Sequence, residues 1–225
     1  MKPVLEHSWN LEVDEAVILQ KQLAFNVVVD DDLTTVDLVA GVDVAYDKES
    51  DDLVAGVVIL KVDSLEVVDS AWSRQKVQFP YIPGLFSFRE LPPVVSAFDK
   101  LRLTPDLCVC DGQGIAHPLR FGLASHLGVL FDIPTIGCAK TRLLGENETV
   151  QPERGSYSYL HDAGNVVGTV VRTQTGVNPV YVSPGHRISI DLATQWVLRL
   201  SPNFRLPETT RKADQLVRDM LKESS

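Results

Sequence analysis

The chain has 225 residues, of which 44% are hydrophobic and 23% charged, as in an ordinary globular protein with one large core. No run approaches the roughly 20 apolar residues that cross a bilayer, and the first residues lack a signal-peptide pattern, which predicts a cytoplasmic protein with no membrane partner. The net charge of −9 argues against a protein that coats DNA by bulk attraction. Residues 1–70 hold 16 acidic against 4 basic residues and residues 71–225 hold 14 against 17, so a polyanion is expected to contact the later part.

The first half of the chain is predicted to form a helix, three strands and a second helix. Spaced apolar side chains indicate an amphipathic helix over 14–29. Runs rich in Val, Ile and Leu predict strands at 37–46, 53–62 and 65–77. The short connections between these strands favour an antiparallel meander. A helix is predicted over 87–101, with Pro92 and Pro93 tolerable only in its first turns.

The second half alternates short strands and helices. The predicted order is strand 106–110, helix 119–130, strand 133–139, a hairpin-like pair at 165–173 and 180–182, and helices 188–200 and 209–222. Ser183 and Pro184 are expected to be the N-cap and first residue of the helix at 188–200. Three antiparallel strands followed by alternating units predict a ribonuclease-H-like α/β fold. In that fold a central mixed sheet, antiparallel strands then parallel ones, is flanked by helices. No repeat or linker is visible, so one domain over 1–225 is expected.

Three carboxylates lie at positions that favour a functional role over a structural one. Asp43 lies inside an otherwise uncharged strand, and a buried carboxylate must meet a cation, a metal or water. Asp111 follows an apolar strand at its C-terminal end, where ligand sites of α/β sheets form. Glu90 lies near the start of a helix. Each acid alone could cap a turn or pair with Lys or Arg, but the three together favour a site for Mg²⁺, or Mn²⁺ in its place.

Two further charged residues have both functional and structural interpretations. Lys140 follows a short strand and could contact a phosphate, or be a surface lysine. Asp214 lies on the last predicted helix, where pairing with Arg218 at i+4 is the simpler interpretation. His117 and His186 follow turns that contain Gly, and neither has neighbours that form a recognisable triad.

A stiff loop places an aromatic side chain between two prolines. Pro80 and Pro83 fix the backbone on either side of Tyr81 and Ile82 and remove two donors. A rigid aromatic tip of this kind can enter between stacked bases and hold a duplex open. The loop therefore predicts a nucleic-acid wedge close in sequence to Glu90.

These segments together resemble one family, endonuclease V, the deoxyinosine 3′ endonuclease of DNA repair. The matching segments are 42–46 (Val-Asp-Val-Ala-Tyr), 80–84 (Pro-Tyr-Ile-Pro-Gly), 88–90 (Phe-Arg-Glu), 111–114 (Asp-Gly-Gln-Gly), 137–140 (Gly-Cys-Ala-Lys) and 183–186 (Ser-Pro-Gly-His). They occur in one order across most of the chain, which makes the match specific although each segment is short. The segment 207–210 departs from the Pro-Glu-Pro-Thr expected of the family.

The resemblance implies a role for each candidate residue. Asp43 and Asp111 match the metal-binding aspartates, Glu90 the catalytic glutamate and Lys140 a lysine near the cleaved phosphate. Asp214 falls at a position where members carry His or Asp, so it could be a ligand or support one. The implied wedge and base pocket comprise Pro80, Tyr81, Ile82, Pro83, Gly84, Leu85, Phe86, Gly112, His117 and Leu123.

The implied activity is metal-dependent hydrolysis of the second phosphodiester bond 3′ to deoxyinosine, leaving 3′-hydroxyl and 5′-phosphate ends, after the altered base is flipped out. A monomer acting on damaged DNA is expected. The residues leave three alternatives open. They are the same fold acting mainly on inosine in RNA, a lesion-binding module without cleavage, and an unrelated small-molecule α/β enzyme.

Overall fold

The computed structural model describes residues 1–31, 33, 35–47 and 50–223. In these residues the strands are β1 Leu38–Tyr46, β2 Asp52–Lys61, β3 Val67–Lys76, β4 Leu107–Cys110, β5 Thr135–Ala139, β6 Tyr157–Asp162, β7 Asn165–Val171 and β8 Val180–His186. The helices are α1 Val13–Ala24, α2 Phe86–Asp99, α3 Leu123–Phe131, α4 Ile190–Arg199 and α5 Glu208–Lys222. No helix of the described residues combines the length and apolar character needed to cross a membrane.

All eight strands belong to one mixed sheet in the order β3-β2-β1-β4-β5-β8-β7-β6. The first three strands form the predicted antiparallel meander, and β1, β4 and β5 are parallel to one another. This is the ribonuclease-H-like order expected from the sequence. The sheet then continues through β8, β7 and β6, which are antiparallel and lie beyond the predicted parallel part.

Helices cover both faces of the sheet and bury two apolar layers. On one face α2 and α3 pack over alternate residues of β1, β2 and β4, including Cys108 and Cys110, which share a side of the strand as predicted. On the other face α4 and α5 cover the intervening residues, among them Val109 and Cys138. Side chains alternate between the two faces of a strand. The buried residues of each strand therefore determine on which face of the sheet its last side chain lies.

Close packing of α5 on β1 depends on Gly41. A Cβ at this position would lie 2.0 Å from the carbonyl oxygen of Thr209 in the first turn of α5, so only glycine allows the approach. Gly41 precedes Asp43 by two residues on the same side of the strand. The close approach of α5 to Gly41 therefore also determines how near Asp43 lies to that helix.

Several predicted boundaries are wrong. The first helix ends at Ala24 and not at Val29, because Phe25 caps it and the following backbone leaves the helix. The helix expected over 119–130 begins at Leu123, since Arg120 has a φ of 55° and Gly122 is the N-cap. The strand expected at 180–182 runs on to His186.

The predicted N-cap of the helix at 188–200 is wrong for an identifiable reason. Ser183 and Pro184 lie inside β8, and the N-cap of α4 is Ser189, whose hydroxyl accepts from the N–H of Leu192. Pro92 and Pro93 are the seventh and eighth residues of α2, at the end of its second turn. Their missing donors leave two carbonyls of the first turn without the usual intrahelical partner.

Candidate active site

Three neighbouring strands bring charged side chains to one edge of the sheet. Asp43 lies on β1, Asp111 directly follows β4 and Lys140 directly follows β5. Val42 is paired with Cys110, and the N–H of Asp111 donates to the carbonyl of Val42, so the two aspartates are adjacent. Gly41, Val109 and Cys138, each two residues earlier on its strand, face the α4 and α5 layer. Because side chains alternate along a strand, Asp43, Asp111 and Lys140 point toward that same layer.

Asp43 is held in a state that opposes its ionisation. Burial raises its pKa to about 7 from an ordinary 3.8, and the charges of Asp111 and Asp214 add to the shift. The backbone N–H of Val44 and the ammonium of Lys140 lower the pKa and offset part of the effect. A desolvated carboxylate facing two others is the arrangement expected where a cation binds.

Lys140 is the cation that faces these acids. Its ammonium donates to Asp111 and forms an ion pair with it. Desolvation lowers the pKa of Lys140, but the contact with Asp111 and the charges of Asp43 and Asp214 outweigh it and raise that pKa. The prediction that Lys140 lies at the site is therefore consistent with its contacts, while its role toward phosphate stays a prediction.

The structural interpretation of Asp214 is confirmed, and its role at the site stays a prediction. Its carboxylate accepts from the Nε of Arg218 at 2.9 Å, the i+4 pair. Its charge also acts on Asp43 and on Lys140, so α5 places it beside the pair of aspartates. Asp214 is thus held by Arg218 within electrostatic reach of Asp43 and Lys140.

Glu90 reaches the same edge from the opposite layer of helices. The hydroxyl of Tyr46, at the end of β1, donates to its carboxylate at 2.8 Å, and the guanidinium of Arg89 lies 5.1 Å from the Tyr46 ring centre. Burial raises the pKa of Glu90 to about 7, the Tyr46 hydrogen bond lowers it, and the charge of Asp111 raises it further. Tyr46 therefore orients Glu90 toward the aspartates, a role that the sequence prediction missed although Tyr46 ends the 42–46 motif.

The carboxylates of the site can hold a hard divalent cation only if waters or phosphate oxygens supply its remaining ligands. Among the residues that the structure describes, no group of three or more His, Cys, Asp and Glu is gathered closely enough to hold a metal. Asp43 and Asp111 are adjacent, whereas Glu90 is engaged by Tyr46. Mg²⁺ commonly takes one or two carboxylates and completes its coordination with waters and phosphate oxygens. Burial first, and the charge of Asp111 second, raise the pKa of Asp43, and a bound cation would offset both effects.

A cavity of about 380 Å³ opens beside these charged residues. Its lining includes Glu90, Asp111 and Lys140, so the acids and the cavity form one site. The predicted pocket residues that line it are Pro83, Gly84, Phe86, Gly112, His117 and Leu123. Further lining residues that were not among the predicted site residues are Ser87, Gln113, Phe121, Gly122, Ala139, Thr141, Arg142 and Leu143.

Leu85 does not line the cavity. It is buried with Phe79, Phe88 and Ala16 in a separate apolar cluster under the loop. Its backbone N–H donates to the carbonyl of Ile82 at 3.0 Å, which closes the turn that precedes α2. The Leu85 side chain therefore anchors the loop, and a part for Leu85 in base binding stays a prediction.

The loop at 79–84 presents Tyr81 as a projecting tip. The side chain is 65% exposed and its ring meets the edge of Phe86 at 4.7 Å between centres. Phe79 is buried on one side of the loop, and Pro80 and Pro83 are exposed on either side of the tip. The placement is that of a wedge at the mouth of the cavity, and the wedge role itself stays a prediction.

The two histidines singled out from the sequence have different positions. His117 is buried beneath Gly84 and lines the cavity, and desolvation lowers its pKa to about 4, so the ring is neutral at pH 7. His186 lies away from the cavity and bonds Asp132 at 3.1 Å and the N–H of Val28 at 3.2 Å. These contacts link β8 to Val28 and to the residue that caps the end of α3, so His186 has a structural place.

Comparisons with known proteins agree with this geometry. The family model described as Endonuclease V matches residues 21–215. An Endonuclease V of Trichormus variabilis is 48% identical over 211 residues, which is 93% of this chain and 96% of that protein. The crystal structure of Endonuclease V from Streptomyces avermitilis matches with a TM-score of 0.92 and 46% identity, covering 100% of this chain and 99% of that one.

A more distant structure includes nucleic acid. Endonuclease V of Ciona intestinalis, in complex with a 24mer DNA containing an inosine followed by a ribo-adenosine, matches with a TM-score of 0.83 and 27% identity. The match covers 95% of this chain and 99% of that one. On the family model and the identities, this chain belongs to the Endonuclease V family of metal-dependent nucleases, hydrolases that act on DNA in repair.

Proposed function

We propose that this protein is a single-domain, monomeric endonuclease that recognises deoxyinosine, the product of adenine deamination. It hydrolyses the second phosphodiester bond 3′ to that nucleotide and leaves 3′-hydroxyl and 5′-phosphate ends. The proposal rests on one cavity that Glu90, Asp111 and Lys140 line, with Asp43 on the strand beside Asp111. The exposed Tyr81 contacts Phe86, another residue of the lining. A relative with this fold binds DNA containing inosine, which supports the substrate.

The charged residues divide the chemistry between them. Asp43 and Asp111 would hold the divalent metal, Mg²⁺ with Mn²⁺ able to replace it. When bound, the metal offsets phosphate charge and makes the attacking water more acidic. Glu90 has a pKa near 7 and is oriented by Tyr46, so it can position that water and accept its proton. Lys140 brings a second positive charge to the scissile phosphate.

Recognition is carried by the cavity and the loop. Flipping a base costs a few kcal/mol and costs least at a mismatched pair, which favours deaminated adenine. The wall of glycine, Phe86, His117 and Leu123 can enclose a planar base, because the glycines let the backbone approach it closely. Tyr81 would fill the gap left in the duplex.

The alternative of a lesion-binding module has no support from the geometry. A module that only binds gains nothing from desolvating Asp43 beside Asp111, since this arrangement costs stability when no cation is bound. A small-molecule enzyme would leave the exposed Tyr81 loop without a role. Inosine in RNA stays a second candidate, because the DNA bound to the Ciona protein has a ribonucleotide after its inosine.

The test is nicking of a duplex with one deoxyinosine by the wild type and by Asp43→Asn, with Mg²⁺ or with EDTA. Asp63, whose side chain is 99% exposed, supplies the control variant Asp63→Asn. We expect metal-dependent nicking by the wild type and the control, and loss of nicking with retained duplex binding in Asp43→Asn. Equal activity of Asp43→Asn would refute the metal assignment. A parallel inosine RNA strand decides between the two substrates.

A further inference from the structure

A chain of hydrogen bonds runs from the protein surface to the cavity through two histidines. His7 contacts the carbonyl of Ser8 through Nδ1 at 2.8 Å and contacts His126 Nε2 through its own Nε2 at 2.8 Å. His126 is fully buried, and its Nδ1 contacts the hydroxyl of Ser87 at 2.9 Å. None of these four residues has a role in the proposed cleavage.

The Ser8 carbonyl, at the outer end of this series of hydrogen bonds, determines which atom donates in each of them. The Ser8 carbonyl can only accept, so Nδ1 of His7 carries the hydrogen. Desolvation lowers the pKa of His7 and that of His126, so each ring is neutral with one N–H. Nε2 of His7 then accepts from His126, and Nδ1 of His126 accepts from Ser87.

This direction decides what Ser87 offers to the cavity. Ser87 lines the cavity beside Phe86 and lies one helical turn before Glu90. A serine hydroxyl has one hydrogen and two lone pairs, and the hydrogen is engaged by His126. The hydroxyl can therefore only accept a hydrogen bond from a group that enters the cavity.

We propose that Ser87 is a specificity-determining residue that accepts from the N1–H of flipped hypoxanthine, and that His126 and His7 are positioning residues that hold the hydroxyl as an acceptor. The inference rests on the proposed function, since it assigns a partner to a base in that cavity. Adenine has a bare N1, whose lone pair would face that of Ser87. Guanine carries an N1–H like hypoxanthine, so the contact separates hypoxanthine from adenine and not from guanine.

The test compares kcat/KM for two duplexes that differ at one base. One contains deoxyinosine, and the other contains purine deoxyriboside, which has a bare N1 and no exocyclic oxygen. The ratio of the two values is measured on one preparation, so the fraction of folded enzyme cancels. Ser87→Ala should lower the ratio on the order of tenfold, the worth of one neutral hydrogen bond. Ser125→Ala, which removes a buried α3 hydroxyl that lacks a partner among the described residues, should leave it unchanged.

Variants of His7 test the positioning role, because a purely structural role of His7 would leave the kcat/KM ratio unchanged. His7→Phe removes the acceptor of the His126 N–H and should lower the ratio, although His7 does not line the cavity. His7→Gln supplies a carbonyl acceptor and should restore it. An unchanged ratio in Ser87→Ala, with a wild type that prefers deoxyinosine, would overturn this inference alone. A wild type that cleaves neither duplex would overturn the proposed function and this inference with it.

Discussion

Replacing Asp43 by Asn should stabilise the metal-free protein, and increasingly so as pH rises. The folded protein raises the pKa of Asp43 from 3.8 to about 7. A raised pKa means that the folded state binds the proton more tightly than the unfolded state. The stability that Asp43 contributes is thus fully present below about pH 4 and is lost as pH rises through 7. Each pKa unit corresponds to about 1.36 kcal/mol, so the full loss is about 4 kcal/mol.

The expected gain is smaller than this ceiling because water reaches the partly buried side chain and screens its charge. We expect Asp43→Asn to gain about 2 kcal/mol over the wild type between pH 4 and pH 8. The assay is urea denaturation in EDTA at both pH values. Asp63→Asn, at an exposed acid, should stay within about 0.5 kcal/mol of the wild type at both. A pH-independent difference, or a less stable Asp43→Asn at pH 8, would refute the reasoning.

Three further outcomes follow from particular contacts. Gly41→Ala should lower the free energy of unfolding by about 1–3 kcal/mol or more, because its Cβ meets the α5 backbone; unchanged denaturation would contradict this. Tyr46→Phe should move the acidic limb of the kcat/KM pH profile upward, because the lost hydrogen bond had lowered the pKa of Glu90; an unmoved limb would mean that Glu90 does not control it. Tyr81→Ala should raise KM for the deoxyinosine duplex roughly tenfold with little change in kcat, as one lost stacking contact does. Tyr157→Ala, at another exposed tyrosine, should leave KM unchanged.

Metal binding should reverse the effect of Asp43 on stability. A cation that binds only the folded protein stabilises it by RT ln(1 + [L]/Kd), about 2.7 kcal/mol at 100 times Kd. Adding Mg²⁺ should therefore raise the denaturation midpoint of the wild type at pH 8, whereas Asp43→Asn should respond weakly. An equal response of the two proteins would show that Mg²⁺ binds elsewhere.

The part of the site that lies on neighbouring strands could be predicted from the sequence. Asp43 and Asp111 are conspicuous because each is a charge in or after an apolar strand, and strand adjacency then brings them together. Lys140 follows the next strand by the same logic. The antiparallel meander was predictable because alternating apolar runs with short connections have few other solutions.

The rest depends on contacts between residues far apart in the chain. The strand β6 was missed because Tyr157–Asp162 is mostly polar and exposed, and only pairing with β7 makes it a strand. The N-cap was misplaced because Ser183 and Pro184 carry a helix-start pattern, but pairing with β5 takes them into β8. Ser87 has no sequence signal, because the role we propose for it depends on His126, 39 residues away.

The most direct test of the central claim is to map the cut at nucleotide resolution on an end-labelled duplex with one deoxyinosine. We expect a single nick at the second bond 3′ to the lesion, with a 3′-hydroxyl and a 5′-phosphate, in Mg²⁺ and not in EDTA. The matched duplex without the lesion should stay intact. A nick at another bond, or equal cutting of the undamaged duplex, would contradict the account.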